Sequence, residues 1–184
     1  MRYQAAPQPE NAKCYREAAA YPFRMQKINA GQMDWEVSQS SPTGKFQRFG
    51  KQISEALGRD RRSSDLDKRH PFDVEITRVP PGAASGPYHS HSAQWEFFQV
   101  ISGNGTVRHS NGTTSIEDGD AFLFKPGEPH NIKNDGHEDL IYLVVADNPI
   151  GETCYYPDSR KWAVKSPEYR LMRSDPLDYY DCEE

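Results

Sequence analysis

The chain has 184 residues, a formal net charge of −5 at pH 7 and a mean hydropathy of −0.89. That length suits one domain with a real core, and scattered basic residues leave no footprint for nucleic acid. No apolar run could span a bilayer and the first twenty-odd residues hold no signal-peptide stretch, so a cytoplasmic protein with no membrane partner is expected.

In chain order, Met1 to about Phe23 mixes Gln, Pro, Ala and charge and is expected to fray or lie loosely on the surface. Short extended pieces follow between Gln26 and Gln47, clearest at Asp34-Trp35-Glu36-Val37. Lys51 to Leu57 predicts a turn or two of helix stopped by Gly58. Arg59 to His70 reads as polar loop, with Arg59-Asp60-Arg61-Arg62 solvated.

Strand signals then come quickly. Val74 to Val79 alternates with period two and stops at Pro80-Pro81-Gly82. A strand ending in His89 and His91 is next, then the apolar run Trp95 to Ile101. Gly105 to His109 reaches Asn111-Gly112, a hairpin turn whose residues tolerate positive φ, and Thr113 to Ile116 returns. Ala121 to Phe124 follows the Gly119-Asp120 turn, and His130 to Lys133 and Leu140 to Ala146 complete the set. Many short strands with glycine corners and no interleaved helices predict an all-β sandwich or barrel.

In Trp95 to Ile101, alternation sends Glu96, Phe98 and Val100 inward and Trp95, Phe97 and Ile101 outward. Each outward side chain left wet forgoes about 1.5–3 kcal/mol, so a cover is expected, and a homodimer is the favoured one. Cys14, Cys154 and Cys182 are odd in number and far apart, which argues against a disulfide framework. None is near the histidines in sequence, so they read as spare reduced thiols.

The most informative pattern is His89-Ser90-His91, then Glu96, then His130 behind the Pro126-Gly127 turn. Two imidazoles two residues apart share one face of a strand. Three histidines and one carboxylate suit a borderline divalent cation and would leave positions on it open. The ligands must be deprotonated, so occupancy should fall below about pH 6.

These residues resemble the cupin superfamily. Gly82, His89, His91, Glu96 and Gly103 follow its first motif, with one residue too many after Gly82. Gly119-Asp120, Gly127, His130 and Asn134 follow its second, with Lys125 where a proline is usual. The motif-bearing core covers about Phe72 to Ala146. A weaker likeness, to single-domain conserved-barrel cupins, extends to 41–45 and 156–161. The resemblance implies an antiparallel double-stranded β-helix, the cupin or jelly-roll barrel, across residues 71–163. An irregular N-terminal extension (1–70) would pack on the barrel or on a partner subunit, and 164–184 would form a C-terminal tail. It also implies one divalent metal ion (Zn, Mn, Ni, Fe or Co) held by His89, His91, Glu96 and His130.

Phe98, Arg108, Lys125 and Tyr142 are weaker candidates for binding substrate, and no residue stands out as a general acid or base. His70, His109 and His137 read as surface residues. Tyr156 to Lys161 reads equally as a barrel-end cover or as a plain turn. A metal-dependent enzyme on a small polar substrate follows: sugar, sugar phosphate or organic acid, by isomerase or lyase chemistry. An iron-dependent dioxygenase and a non-catalytic small-molecule or metal-binding module are the alternatives. A DNA-binding regulator is disfavoured, because the N-terminal segment lacks helical periodicity and a basic recognition surface.

Overall fold

A computed structural model describes residues 25–60, 66–164, 169–173 and 178–181. The expectations for residues 1–24 and for Arg61 and Arg62 lie outside the described residues, as do Cys14 and Cys182. Thirteen strands are described: β1 (Glu36–Ser40), β2 (Gln47–Gln52), β3 (Phe72–Val79), β4 (Ser90–His91), β5 (Glu96–Ser102), β6 (Gly105–His109), β7 (Gly112–Ile116), β8 (Ala121–Phe124), β9 (His130–Lys133), β10 (Leu140–Asp147), β11 (Thr153–Tyr156), β12 (Lys161–Val164) and β13 (Arg170–Met172). All named pairings are antiparallel. The strands form the all-β barrel that their alternation predicts, in the double-stranded β-helix form that the family resemblance implies.

The strands form a six-stranded sheet ordered β1-β2-β3-β10-β5-β8, a three-stranded sheet β7-β6-β9 and a four-stranded sheet β13-β12-β11-β4. Register explains the core. Tyr142 on β10 lies between Thr77 and Val100, and Val144 lies between Glu75 and Phe98. Val107 on β6 pairs with Ile132 on β9. These rows face each other, and Val79, Phe98, Val100, Val107, Ile116, Ile132, Leu140 and Tyr142 are buried as one cluster. Gly103 closes the β5–β6 corner at φ +86°. A Cβ there would also lie 2.5 Å from the Asp139 carbonyl oxygen, so the corner requires glycine twice over.

A one-turn helix α1 (Ile53–Ala56) ends before Gly58, whose φ of +94° is the left-handed stop its sequence predicts. The Arg59–His70 segment differs from expectation. It includes a second one-turn helix, α2 (Leu66–Arg69), and Arg59 is buried rather than solvated. Arg59 pairs with Asp73 and donates to the Asn148 side chain at 3.2 Å, contacts remote in sequence. Among the described residues no helix is long and apolar enough to cross a membrane.

Two additions frame the barrel. β2 pairs with β3, aligning Gly50 with Thr77, so the N-terminal segment widens the large sheet. At the other end β11 pairs with β4, aligning Cys154 with His91. The Tyr156 to Lys161 segment is accordingly the turn between β11 and β12, with Tyr156 itself on a strand.

Candidate metal centre

The four candidate ligands come from three places in the chain. His89 and His91 flank Ser90 at β4, Glu96 opens β5, and His130 opens β9. Backbone bonds fix their approach. His89 and His130 exchange N–H···O=C bonds of 3.1 and 2.8 Å, and the Gly127 N–H donates to the His91 carbonyl at 2.7 Å. The proline-glycine turn thereby anchors one ligand segment to the other. Phe124 stacks on the His130 ring with centroids 4.1 Å apart and planes 7° from parallel, which sets that imidazole's plane.

The side chains converge. Glu96 Oε2 lies 2.9 Å from His130 Nε2 and 3.3 Å from His91 Nε2, and the His89 ring centroid is 4.9–5.0 Å from both other imidazoles. Donor atoms of His89, Glu96 and His130 all fall within 4.8 Å of one another. His91 Nε2 and Glu96 Oε2 are buried, yet neither is aligned in a hydrogen bond. Two ring nitrogens aimed at one carboxylate oxygen without hydrogen-bond alignment fit a shared cation, and the nitrogen and oxygen donors suit a borderline divalent ion. His89 Nδ1 lies 2.8 Å from the Pro87 carbonyl and His130 Nδ1 3.2 Å from that of Glu128. A proton on each Nδ1 would leave the Nε2 lone pair free for an ion.

Electrostatics divide the histidines. Burial, helped by the neighbouring His130 and His91, lowers His89 to about 4, so it is neutral at physiological pH and ready to ligate. Burial also lowers His91, but the neighbouring Cys154 and Glu152 and the negative charge of Glu96 outweigh it and raise the ring to about 11. Burial pushes the Glu96 carboxyl up, and the two histidines overcome this to hold it well below the usual range.

The family model for the cupin domain matches residues 75–146, a stretch that contains all four side chains. This chain carries a cupin domain. An oxalate-binding protein of Thermotoga maritima is 38% identical over 69 residues, covering 37% of this chain and 55% of that protein, so the match spans about half the relative's length. A proposed sugar phosphate isomerase of Acidithiobacillus ferrooxidans superposes with a TM-score of 0.68 at 25% identity, covering 80% of this chain and 92% of the other. A sugar phosphate isomerase from a cupin superfamily of Silicibacter pomeroyi gives 0.67 at 23% identity, over 84% and 98%. The last likeness is one of fold.

The cupin cavity, about 930 Å³, opens onto the histidine cluster. Phe98 and Tyr142 line it, the latter with its phenol pushed up to about 12 by burial. The other two substrate candidates lie elsewhere. Val107 faces the core, so its neighbour Arg108 points out, where it forks onto Asp158 at 2.7 and 2.9 Å and covers the Tyr88 ring. Phe124 faces His130, so Lys125 emerges on the opposite face, 5.9 Å from the Trp95 ring centroid. Strand parity excludes both from the cavity.

β11 supplies what the sequence pattern missed. Glu152, just ahead of the strand, and Cys154 and Tyr156 within it recur at alternate positions, all lining the cavity beside the histidines. Cys154 Sγ is 3.4 Å and Glu152 Oε1 3.5 Å from His91 Nδ1, and Tyr156 stacks on His89 at 5.9 Å. Cys154 is therefore no spare thiol: it is buried against a candidate ligand, where the distant sequence position gave no hint. The available signal was the period-two spacing of Glu152, Cys154 and Tyr156, and it required knowing that this strand pairs with β4.

Proposed function

We propose that this cupin is a metal-dependent enzyme acting on a small polar substrate, with isomerase or lyase chemistry. The observation that carries the reading is the convergence of His89, Glu96 and His130, with His91 Nε2 3.3 Å from the Glu96 carboxylate, at the wall of a cavity large enough for a sugar phosphate or an organic acid. His89, His91, Glu96 and His130 would hold one divalent ion. Bound there, such an ion would supply Lewis-acid stabilisation of an enolate-like oxyanion.

The chain's own residues prepare the site. Phe98, Phe124 and Tyr142 form its apolar side and limit water around the imidazoles. Tyr156, whose phenol burial raises to about 12, keeps its proton at neutral pH and is a hydrogen-bond donor beside His89. The names of two similar proteins agree with the size and polarity of such substrates: one is a sugar phosphate isomerase by name, the other an oxalate-binding protein. The second of these also favours a non-catalytic binding module as the competing reading.

The test is elemental analysis of tag-free protein together with His91→Ala. Near-stoichiometric divalent metal is expected in the wild type, and its loss from a variant that keeps the wild-type circular dichroism spectrum. Metal retained by the variant, or none taken up by the wild type from Mn, Fe(II), Co, Ni or Zn, refutes the site. Turnover of sugar phosphates or short dicarboxylates by the loaded protein, followed by NMR, separates the enzyme from the module: binding without conversion supports the module.

A further inference from the structure

The cavity that reaches the histidine cluster also receives a guanidinium, from strand β2. In β2, Arg48, Gly50 and Gln52 alternate on one face. Gly50 aligns with Thr77, which is buried and lines the cavity, and both Arg48 and Gln52 line it too. The intervening residues Phe49 and Lys51 turn outward, beneath Arg78 and against Trp35. Strand parity thus delivers the Arg48 guanidinium to the interior.

The charges around it are otherwise matched. Arg59 is paired with Asp73, and Arg69 donates to the Pro149 carbonyl at 2.9 Å. Among the acids, Glu75 accepts from Thr77 Oγ1 at 3.1 Å and Ser38 Oγ at 3.4 Å. Glu152 accepts from Ser92, and Glu96 faces His91 and His130. Arg48 differs. Its Nε is buried without a hydrogen-bond partner, and no carboxylate lies within ion-pair distance of it among the described residues. Keeping an unpaired guanidinium partly out of water costs free energy, and a planar fork is the group that best recovers it from an oxyanion. Its charge reaches the cavity tyrosines: Arg48 favours the ionised form of both Tyr142 and Tyr156, and Tyr156 in turn stacks on His89.

We propose that Arg48 is an anion-binding subsite, and that the natural ligand is a small molecule whose carboxylate or phosphate meets this guanidinium in the cavity. Gln52 and Gln39, the latter aligned with Arg48 across β1 and β2, offer neutral donors on the same wall. The placement of the ligand's other end rests on the metal-site reading. The subsite itself does not, because Arg48 is remote in the chain from every candidate ligand.

The experiment titrates full-length protein with inorganic phosphate and with malonate by calorimetry, in metal-free and metal-loaded forms. The wild type, Arg48→Gln and Arg48→Lys are compared. Saturable binding is expected for at least one probe, with affinity falling about tenfold or more in Arg48→Gln and by less in Arg48→Lys. Metal content should be unchanged in both variants. Preference for phosphate identifies a phosphorylated ligand, and preference for malonate identifies a carboxylic acid; either supports the subsite. No binding of either probe by the wild type overturns it, as does a folded Arg48→Gln with undiminished affinity. The metal-free arm keeps the two readings apart. Arg48-dependent binding in a chain that takes up no metal supports the subsite and sinks the metal centre, whereas metal uptake without Arg48-dependent binding does the reverse.

Discussion

Replacing Glu152 with glutamine tests whether the strand behind the barrel controls the candidate metal site. Glu152 is almost fully buried, and its Oε1 accepts from the Ser92 N–H at 2.9 Å and from Ser92 Oγ at 3.3 Å while standing 3.5 Å from His91 Nδ1. A glutamine keeps the shape and an oxygen for Ser92, so β4 and β11 should stay paired and only the charge is lost. That charge acts twice. It favours a proton on Nδ1, which turns the Nε2 lone pair toward Glu96, and it attracts whatever cation Nε2 binds. A proton and a divalent ion compete for that lone pair, and the carboxylate favours the double charge more than the single one. Neutralising it therefore weakens metal binding, by less than if no proton competed. Partners of this kind are worth 10–100-fold, and the competition places the expectation at the lower end, about tenfold or ~1.4 kcal/mol. The assay is equilibrium competition for Co(II) against a chromophoric chelator at pH 7.5, with circular dichroism as the control for folding. An affinity equal to or tighter than wild type in a folded variant would refute the reasoning.

Two further outcomes follow from the same geometry. Because the folded-state pKa of His89 is lowered to about 4, the stability gained by keeping that ring neutral is present above about pH 6.5 and is lost as pH falls toward 4. Across that window His91, raised in the fold, contributes a nearly constant amount, and Glu96, lowered in the fold, begins to lose its contribution only below about pH 4.5. Metal-free protein should thus lose about 3 kcal/mol in urea unfolding between pH 6.5 and 4, and His89→Gln should flatten the slope; an equal slope in the variant contradicts this. On the outer sheet face, Trp95, Ile101 and Leu123 are 41–47% exposed, and a second copy of the chain is the proposed cover. Trp95→Ser should weaken self-association in sedimentation velocity, and an unchanged dimer or a monomeric wild type counts against the idea.

The barrel was legible because its signals are local. Period-two alternation in Val74–Val79 and Glu96–Val100, together with glycine at Gly103, dictates strands and a corner without reference to the rest of the chain, whereas the turn predicted at Asn111-Gly112 falls one residue earlier, with Gly112 paired to His109. The histidine cluster was legible for a related reason. Its residue types are rare together, and a two-residue spacing on a strand puts His89 and His91 on a common face. Arg108 and Lys125 were harder, since charge identity says nothing of facing, and a one-residue change of parity moves a side chain from cavity to solvent.

What no local pattern could decide is which distant segments would share the cavity. Arg48 stands well before the histidines, and Glu152 and Cys154 well after them, and each reaches the interior only through pairing chosen by the whole fold: β2 with β3, β11 with β4. Strand identity follows from side-chain alternation along one segment. Strand partnership follows from burying many segments at once, and in this protein it is partnership that places a guanidinium on the cavity wall and a carboxylate and thiol behind His91.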